Sequence, residues 1–232
     1  MMAHGFSLNT LVIQITTLLF AVTIHEVAHG WVAYRLGDPT AKWAGRLTLN
    51  PVKHLDPMGS VVLPLMLLFF RSPVIFGYAK PVPVNFRNLR DYRKGTVLVS
   101  LAGVSANVMV ALGCGLVAQA LLRFTFLWTN PLLNGVTLDC FLVMAYSVII
   151  NCVLAVFNLI PIPPLDGSRV LSVVLPARYA GSMARIERFG MLILFFLLFT
   201  GALNNIISFF LDPAIRLFLG AEGLSVFYRL AM

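Results

Sequence analysis

Four long apolar runs limit what this chain can fold into. Leu8–Ala33 carries one formal charge, Glu26, and Thr96–Leu122, Cys140–Leu165 and Gly190–Leu211 carry none. About 20 apolar residues suffice to cross a bilayer core, and each run reaches that length. Only 11% of the 232 residues are charged, against about a quarter in a soluble domain. The predicted class is an all-α polytopic membrane protein with four firm transmembrane helices, at residues 8–34, 96–122, 138–165 and 189–211. The loops between them are short, so residues 1–232 read as a single membrane-embedded domain.

A fifth run, Gly59–Ala79, is broken by Pro64, Arg71 and Pro73. It is either a kinked span or a re-entrant element, and charge favours the second. Lys80, Arg87, Arg90, Arg93 and Lys94 face only Asp91 before the second firm span, and Arg169, Arg178, Arg185 and Arg188 face only Glu187 before the last. Arg35, Lys42, Arg46 and Lys53 outnumber Asp38 and Asp56 after the first. Basic segments stay cytoplasmic. All three can do so if residues 44–79 form a re-entrant element that enters and leaves one face. The N-terminus is then outside, and the first and third spans run parallel. Within this element AGRLTLNP alternates and predicts a short strand. KPVPVN is extended, with prolines that suit only an edge strand or coil. The tail from Asp212 is read as an interfacial helix.

The net charge of +8 reflects these loops. No basic patch with interleaved aromatics is present, so no nucleic-acid partner is expected. Cys114, Cys140 and Cys152 form no CxxC pair, which excludes a disulfide framework and a thiolate metal site. The N-terminus lacks a basic leader region and a cleavage site, and is read as a retained span.

Ionisable residues inside a span cost several kcal/mol and mark function by default. Residues 25–29 read HEVAH, the HExxH pattern. Helix positions i and i+4 share one face, so His25 and His29 can aim two imidazoles at one metal. Glu26 lies beside them, where it can serve a metal-bound water as general base. A proton relay or transport site also uses intramembrane His and Glu, and is the main rival.

A catalytic zinc takes three protein ligands and keeps one open position. The third run ends NLIPIPPLDG, where Asp166 is the only acid and follows Pro161, Pro163 and Pro164. Broken backbone at membrane depth is tolerated when it is buried in protein or lines a wet cavity. Asp166 is thus either a ligand at such a cavity or an interfacial helix stop. Parallel first and third spans place it at the depth of His25 and His29. Zn²⁺ with ionised Asp166 and Glu26 sums to zero charge, which suits a low-dielectric site.

HEVAHG followed by NLIPIPPLDG resembles the site-2 protease (M50) family of intramembrane zinc metalloproteases. GRLTLNPVKHLDPMGSVVLP, GYAKPVPVN and SLAGVSANVMVAL are similar to the family's intervening segments, in order, across residues 20–170. The likeness is to the compact subgroup without PDZ or CBS domains. It implies Zn²⁺ ligated by His25, His29 and Asp166, with Glu26 as general base and proton donor. Asn158 matches the motif asparagine that orients substrate or oxyanion. Asn107 falls in the central-span motif, with the same role implied, although this chain has valine where many relatives have proline. Residues 45–64 would be the family's re-entrant β-element, able to receive an unwound substrate as an added strand. His54 sits where the pattern often has a histidine, in a gating or second-shell position. The fourth span's LILFFLLF is read as packing.

The resemblance implies an intramembrane zinc endopeptidase that cuts in or near transmembrane segments. Its partners are the lipid bilayer and a membrane-protein or peptide substrate. A prokaryotic inner membrane, with the site near the cytoplasmic face, is the expected location. A metal or proton transporter and a non-catalytic zinc scaffold are the alternatives.

Overall fold

The structure is a computed structural model and describes residues 8–70 and 77–231. Arg71 and Pro73 lie outside the described residues. The helices are α1 (Leu8–Arg35), α2 (Thr40–Trp43), α3 (Leu63–Phe69), α4 (Tyr92–Arg123), α5 (Thr125–Thr129), α6 (Asn134–Leu159), α7 (Asp166–Val174), α8 (Ala180–Phe199) and α9 (Asn204–Ala231). Among the described residues α1, α4 and α6 are long and apolar enough to cross a membrane.

These three helices form the frame. Asn9 Nδ2 donates to Asp139 Oδ1 at 3.0 Å near one end of α1 and α6. His25 meets Asp166, just past the end of α6, toward the other. The two helices therefore run parallel, as the charge pattern predicts. α4 is antiparallel to both, because Asn107 lies opposite His25 and Val99 opposite His29. Asp91 starts α4 by accepting from the Lys94 amide at 3.0 Å, the N-cap bond that satisfies an otherwise unpaired donor.

Lipid is as apolar as leucine, so packing between spans depends on close approach of small residues. Ala111, Ala118 and Ala145 are fully buried, with Phe141 and Leu219 in the same core. A Cβ at Gly115 would lie 2.3 Å from the Phe218 carbonyl oxygen, so only glycine lets α9 come this near. α9 kinks at Gly220 (φ 74°), and Gln119 Nε2 donates to the Phe218 carbonyl beside the kink at 2.7 Å.

The tail is more than an interfacial helix. α9 starts at Asn204 and buries Leu219 and Phe227 in the main core. The run 189–211 is also not one helix: α8 stops at Phe199 and Gly201 takes φ 69°. The Thr200 amide donates to the Phe196 carbonyl and the Gly201 amide to that of Leu198, a left-handed glycine stop. Leu194 of α8 packs on Ile160 and Leu165, while Phe196 and Phe199 are exposed.

No strand occurs among the described residues, so the one predicted in AGRLTLNP is corrected to coil. Its polar groups find single partners instead of a ladder. The Arg46 amide donates to the Ala41 carbonyl, the Arg46 guanidinium to the Lys80 carbonyl at 2.6 Å, and the Thr48 carbonyl accepts from the His54 ring. KPVPVN is extended coil. Between these segments a helix of wide turns, Pro57–Val62, leads into α3. The Tyr78 amide returns to donate to the Gly59 carbonyl at 3.0 Å, and Ser60 Oγ donates to the Tyr78 carbonyl at 2.9 Å.

Candidate metal centre

The HExxH helix turns both histidines toward α4, where Gly103 leaves them room. A Cβ on Gly103 would fall 2.5 Å from His29 Nε2 and from His25 Cε1. Asp166 arrives from another direction. The proline-rich turn ends α6 at Leu159, and Asp166 opens α7 as its first residue. It therefore does not extend the third helix, whose predicted span to residue 165 is shortened. Gly167 keeps this turn tight, since a Cβ there would lie 2.2 Å from the Leu159 carbonyl oxygen.

Three atoms converge. His25 Nε2 and His29 Nε2 are each 3.1 Å from Asp166 Oδ2 and 3.0 Å from one another. The far side of each ring decides what this triangle holds. His29 Nδ1 lies 2.6 Å from the Val99 carbonyl oxygen, which can only accept, so Nδ1 carries the proton. His25 Nδ1 lies 2.7 Å from Asn107 Oδ1. Asn107 Nδ2 donates to Asn151 Oδ1 at 2.8 Å, and Asn151 Nδ2 donates to the Ser147 carbonyl at 2.8 Å. That chain orients both amides and puts the proton of His25 on Nδ1 too. Two imidazole lone pairs and a carboxylate oxygen then face one another with no proton between them. A cation relieves that repulsion. The edges also approach those of a tetrahedral zinc site, about 3.4 Å for metal–ligand distances of about 2.0–2.1 Å. Among the described residues these three form the one cluster able to hold a metal.

A cavity of about 190 Å³ opens on the triangle, lined by Glu26, Val82, Ser100, Asn158 and Arg169 among others. Glu26 Oε2 accepts from the Val82 amide at 2.7 Å, so the extended segment holds this carboxylate over the cavity. Asn158 lines the cavity and spends one amide hydrogen on the Leu154 carbonyl at 3.0 Å. Asn107 was expected to face substrate. It is instead fully buried and reaches His25. His54 is buried away from the triangle: its Nε2 donates to the Thr48 carbonyl at 2.9 Å, and its own carbonyl accepts from the Lys80 amide.

Several residues here carry no sequence signal of their own. Asn151 is one more polar residue in an apolar run. Ser100, 1% exposed, has a hydroxyl without a partner in the cavity wall. Asp38 is fully buried, and its carboxylate accepts from Thr40, from Asn88 and from the Asn85 amide, tying the end of α1 to the far end of the extended segment.

The profile of peptidase family M50 matches residues 133–201, which hold Asn158 and Asp166. YwhC of Bacillus subtilis (strain 168), named as a zinc metalloprotease, is 35% identical over 86% of this chain and 85% of its own length. Rip2 of Mycolicibacterium smegmatis, with a name of the same kind, is 30% identical over 84% of this chain and 69% of its own. Rip2 of Mycobacterium tuberculosis (strain ATCC 25618 / H37Rv) is 29% identical over 84% and 69%. No solved structure matches the chain. The chain belongs to peptidase family M50, a metalloprotease with zinc as its cofactor and apolar helices that place it in a membrane.

Proposed function

We propose that this protein is an intramembrane endopeptidase that cuts membrane-protein substrates in or beside their transmembrane segments. The observation that carries the reading is the meeting of His25, His29 and Asp166 across α1 and the turn after α6, at helical positions a bilayer would otherwise exclude. His25, His29 and Asp166 would hold the zinc, which would supply Lewis-acid polarisation of the scissile carbonyl and a more acidic water.

The remaining work falls to this chain's own groups. Glu26 accepts the proton of the attacking water at its carboxylate and passes it to the leaving amine. Asn107 and Val99 keep the protons of His25 and His29 on Nδ1, so that both Nε2 atoms stay free for the metal. Asn158, with a second amide hydrogen uncommitted, and the exposed Arg169 guanidinium are the cavity's donors toward a developing oxyanion.

Residues 44–79 form a re-entrant element, since the ends of the fifth apolar run meet at Gly59 and Tyr78. α8 and α9 together supply the fourth crossing. Arg35, Arg90, Arg93 and Lys94 cluster where α1 ends and α4 begins, the end nearer the metal site. That end faces the cytoplasm under the positive-inside rule, in the inner membrane of a prokaryote.

The test is Glu26→Gln in protein reconstituted with a transmembrane substrate. Cleavage stops while zinc content and helicity stay at wild-type levels. Continued cleavage by this variant overturns the proposal.

A further inference from the structure

Away from the metal site, α1 and α4 leave a second concavity of about 500 Å³ on their outer face. Its floor is made of small residues, Ala28, Ala102, Ser105 and Ala106, and its walls of Trp31, Leu98 and Met109. The walls are more than half exposed. From Leu98 to Met109 it follows α4 for about 16 Å at 1.5 Å per residue. One end is charged: Arg35 lines it, with its guanidinium carbon 5.5 Å from the centre of the Trp31 ring. Leu98 at that end is also a wall of a neighbouring hollow lined by Arg93 and Lys94 with Val97, Val173 and Val174. No acidic side chain lines either concavity. Among the described residues none of these three cations has a carboxylate partner.

We propose that this face binds one anionic phospholipid. An acyl chain lies in the groove, and the phosphate is held by Arg35, Arg93 and Lys94. An apolar trough that ends in unpaired cations is the chemistry of an amphiphile with a negative head. Basic pockets between spans on the cytoplasmic side hold such headgroups. The charge sits at one end of the apolar stretch only, which matches an amphiphile with a single head. A zwitterionic lipid brings its own cation to a site already carrying three.

The purified, delipidated protein is titrated with phosphatidylglycerol or phosphatidylcholine in detergent and followed by native mass spectrometry. Wild type takes up one phosphatidylglycerol at least tenfold more tightly than phosphatidylcholine. Each cation is worth a factor of about five near a charged lipid surface. Arg35→Gln with Arg93→Gln and Lys94→Gln therefore abolishes the preference, while Arg35→Lys with Arg93→Lys keeps it and controls for folding. Ala102→Leu with Ala106→Leu fills the trough and weakens uptake with the charges intact. Equal uptake of both lipids by wild type overturns the assignment, and so does a preference that survives in the triple variant. Loss of substrate cleavage in the Leu variant with unchanged lipid uptake overturns it in favour of a substrate helix on this face.

Discussion

Asn107 Oδ1 lies 2.7 Å from His25 Nδ1, and its amide nitrogen lies 2.8 Å from Asn151 Oδ1. Three helices thus control which nitrogen of one imidazole carries a proton. Removing an outer-shell partner of a metal-bound histidine costs 10–100-fold in metal affinity. Asn107→Leu keeps the approximate volume and deletes the acceptor, so zinc affinity should fall by about that factor in chelator competition. Asn107→Asp retains an acceptor toward His25 and should lose less. Equal affinities for wild type and Asn107→Leu would remove the relay from the site.

Gly103 sets the distance between α4 and the two histidines. A methyl group there would sit 2.5 Å from His29 Nε2 and 2.7 Å from His25 Nδ1. Neither ring can yield freely, because each is held through Nδ1 by α4 itself. Gly103→Ala should push α4 away or rotate both rings, at an overpacking cost of about 1–3 kcal/mol. The expected outcome is protein that inserts normally, shows a lower melting midpoint in detergent and binds less than half the zinc of wild type. A methyl group at Gly113 would meet no heavy atom within 4 Å, so Gly113→Ala is the matched control and should keep full zinc.

The metal site was legible to the extent that its geometry is local. His25 and His29 are one turn apart, and any helix brings them together. Asp166, 137 residues beyond His29, required an argument from charge about which spans run parallel. Asn151 was not legible at all, since its partner is set by how α4 and α6 pack. The strand in AGRLTLNP failed for a related reason: alternation shows which side chains share a face, but a ladder needs a neighbouring strand, and here the Thr48 carbonyl takes the His54 ring while the Arg46 amide turns back to the Ala41 carbonyl. The division of 189–211 turns on Gly201, whose positive φ a run of hydropathy values does not register.

Asp38 should make stability depend on pH. Burial works to raise its carboxyl, but the hydrogen bonds from Thr40, Asn88 and the Asn85 amide prevail and hold it below its ordinary value of 3.8. A carboxyl lowered on folding stabilises the protein at pH above the ordinary value, and the effect is lost as pH falls through the lowered one. Each hydrogen bond to a charged group contributes about 1.5–3 kcal/mol, and a neutral amide in place of the carboxylate keeps only part of that. Asp38→Asn should therefore melt lower than wild type at pH 7, and the gap should close as pH drops below about 3.8. A gap that stays constant from pH 7 to pH 3 would show that the charge is not what matters.

The contact between Gly59 and Tyr78 makes the sharpest claim about topology. The Tyr78 amide donates to the Gly59 carbonyl at 3.0 Å, and a Cβ at Gly59 would lie 2.3 Å from the Tyr78 ring. A run that crossed the hydrocarbon core would hold its ends about 30 Å apart. Cysteines placed at Asp56 and Lys80, just outside the two ends, should thus react with a membrane-impermeant maleimide from the same side of sealed vesicles. Cysteine at Asn130, between α5 and α6, should react from the opposite side. Labelling of positions 56 and 80 from opposite faces would convert the element into a span and reverse the orientation of α4 and α6 against α1. Gly59→Val adds the local control. It forces the ring of Tyr78 aside, and should raise the labelling rate at position 80 without changing the side from which it is labelled.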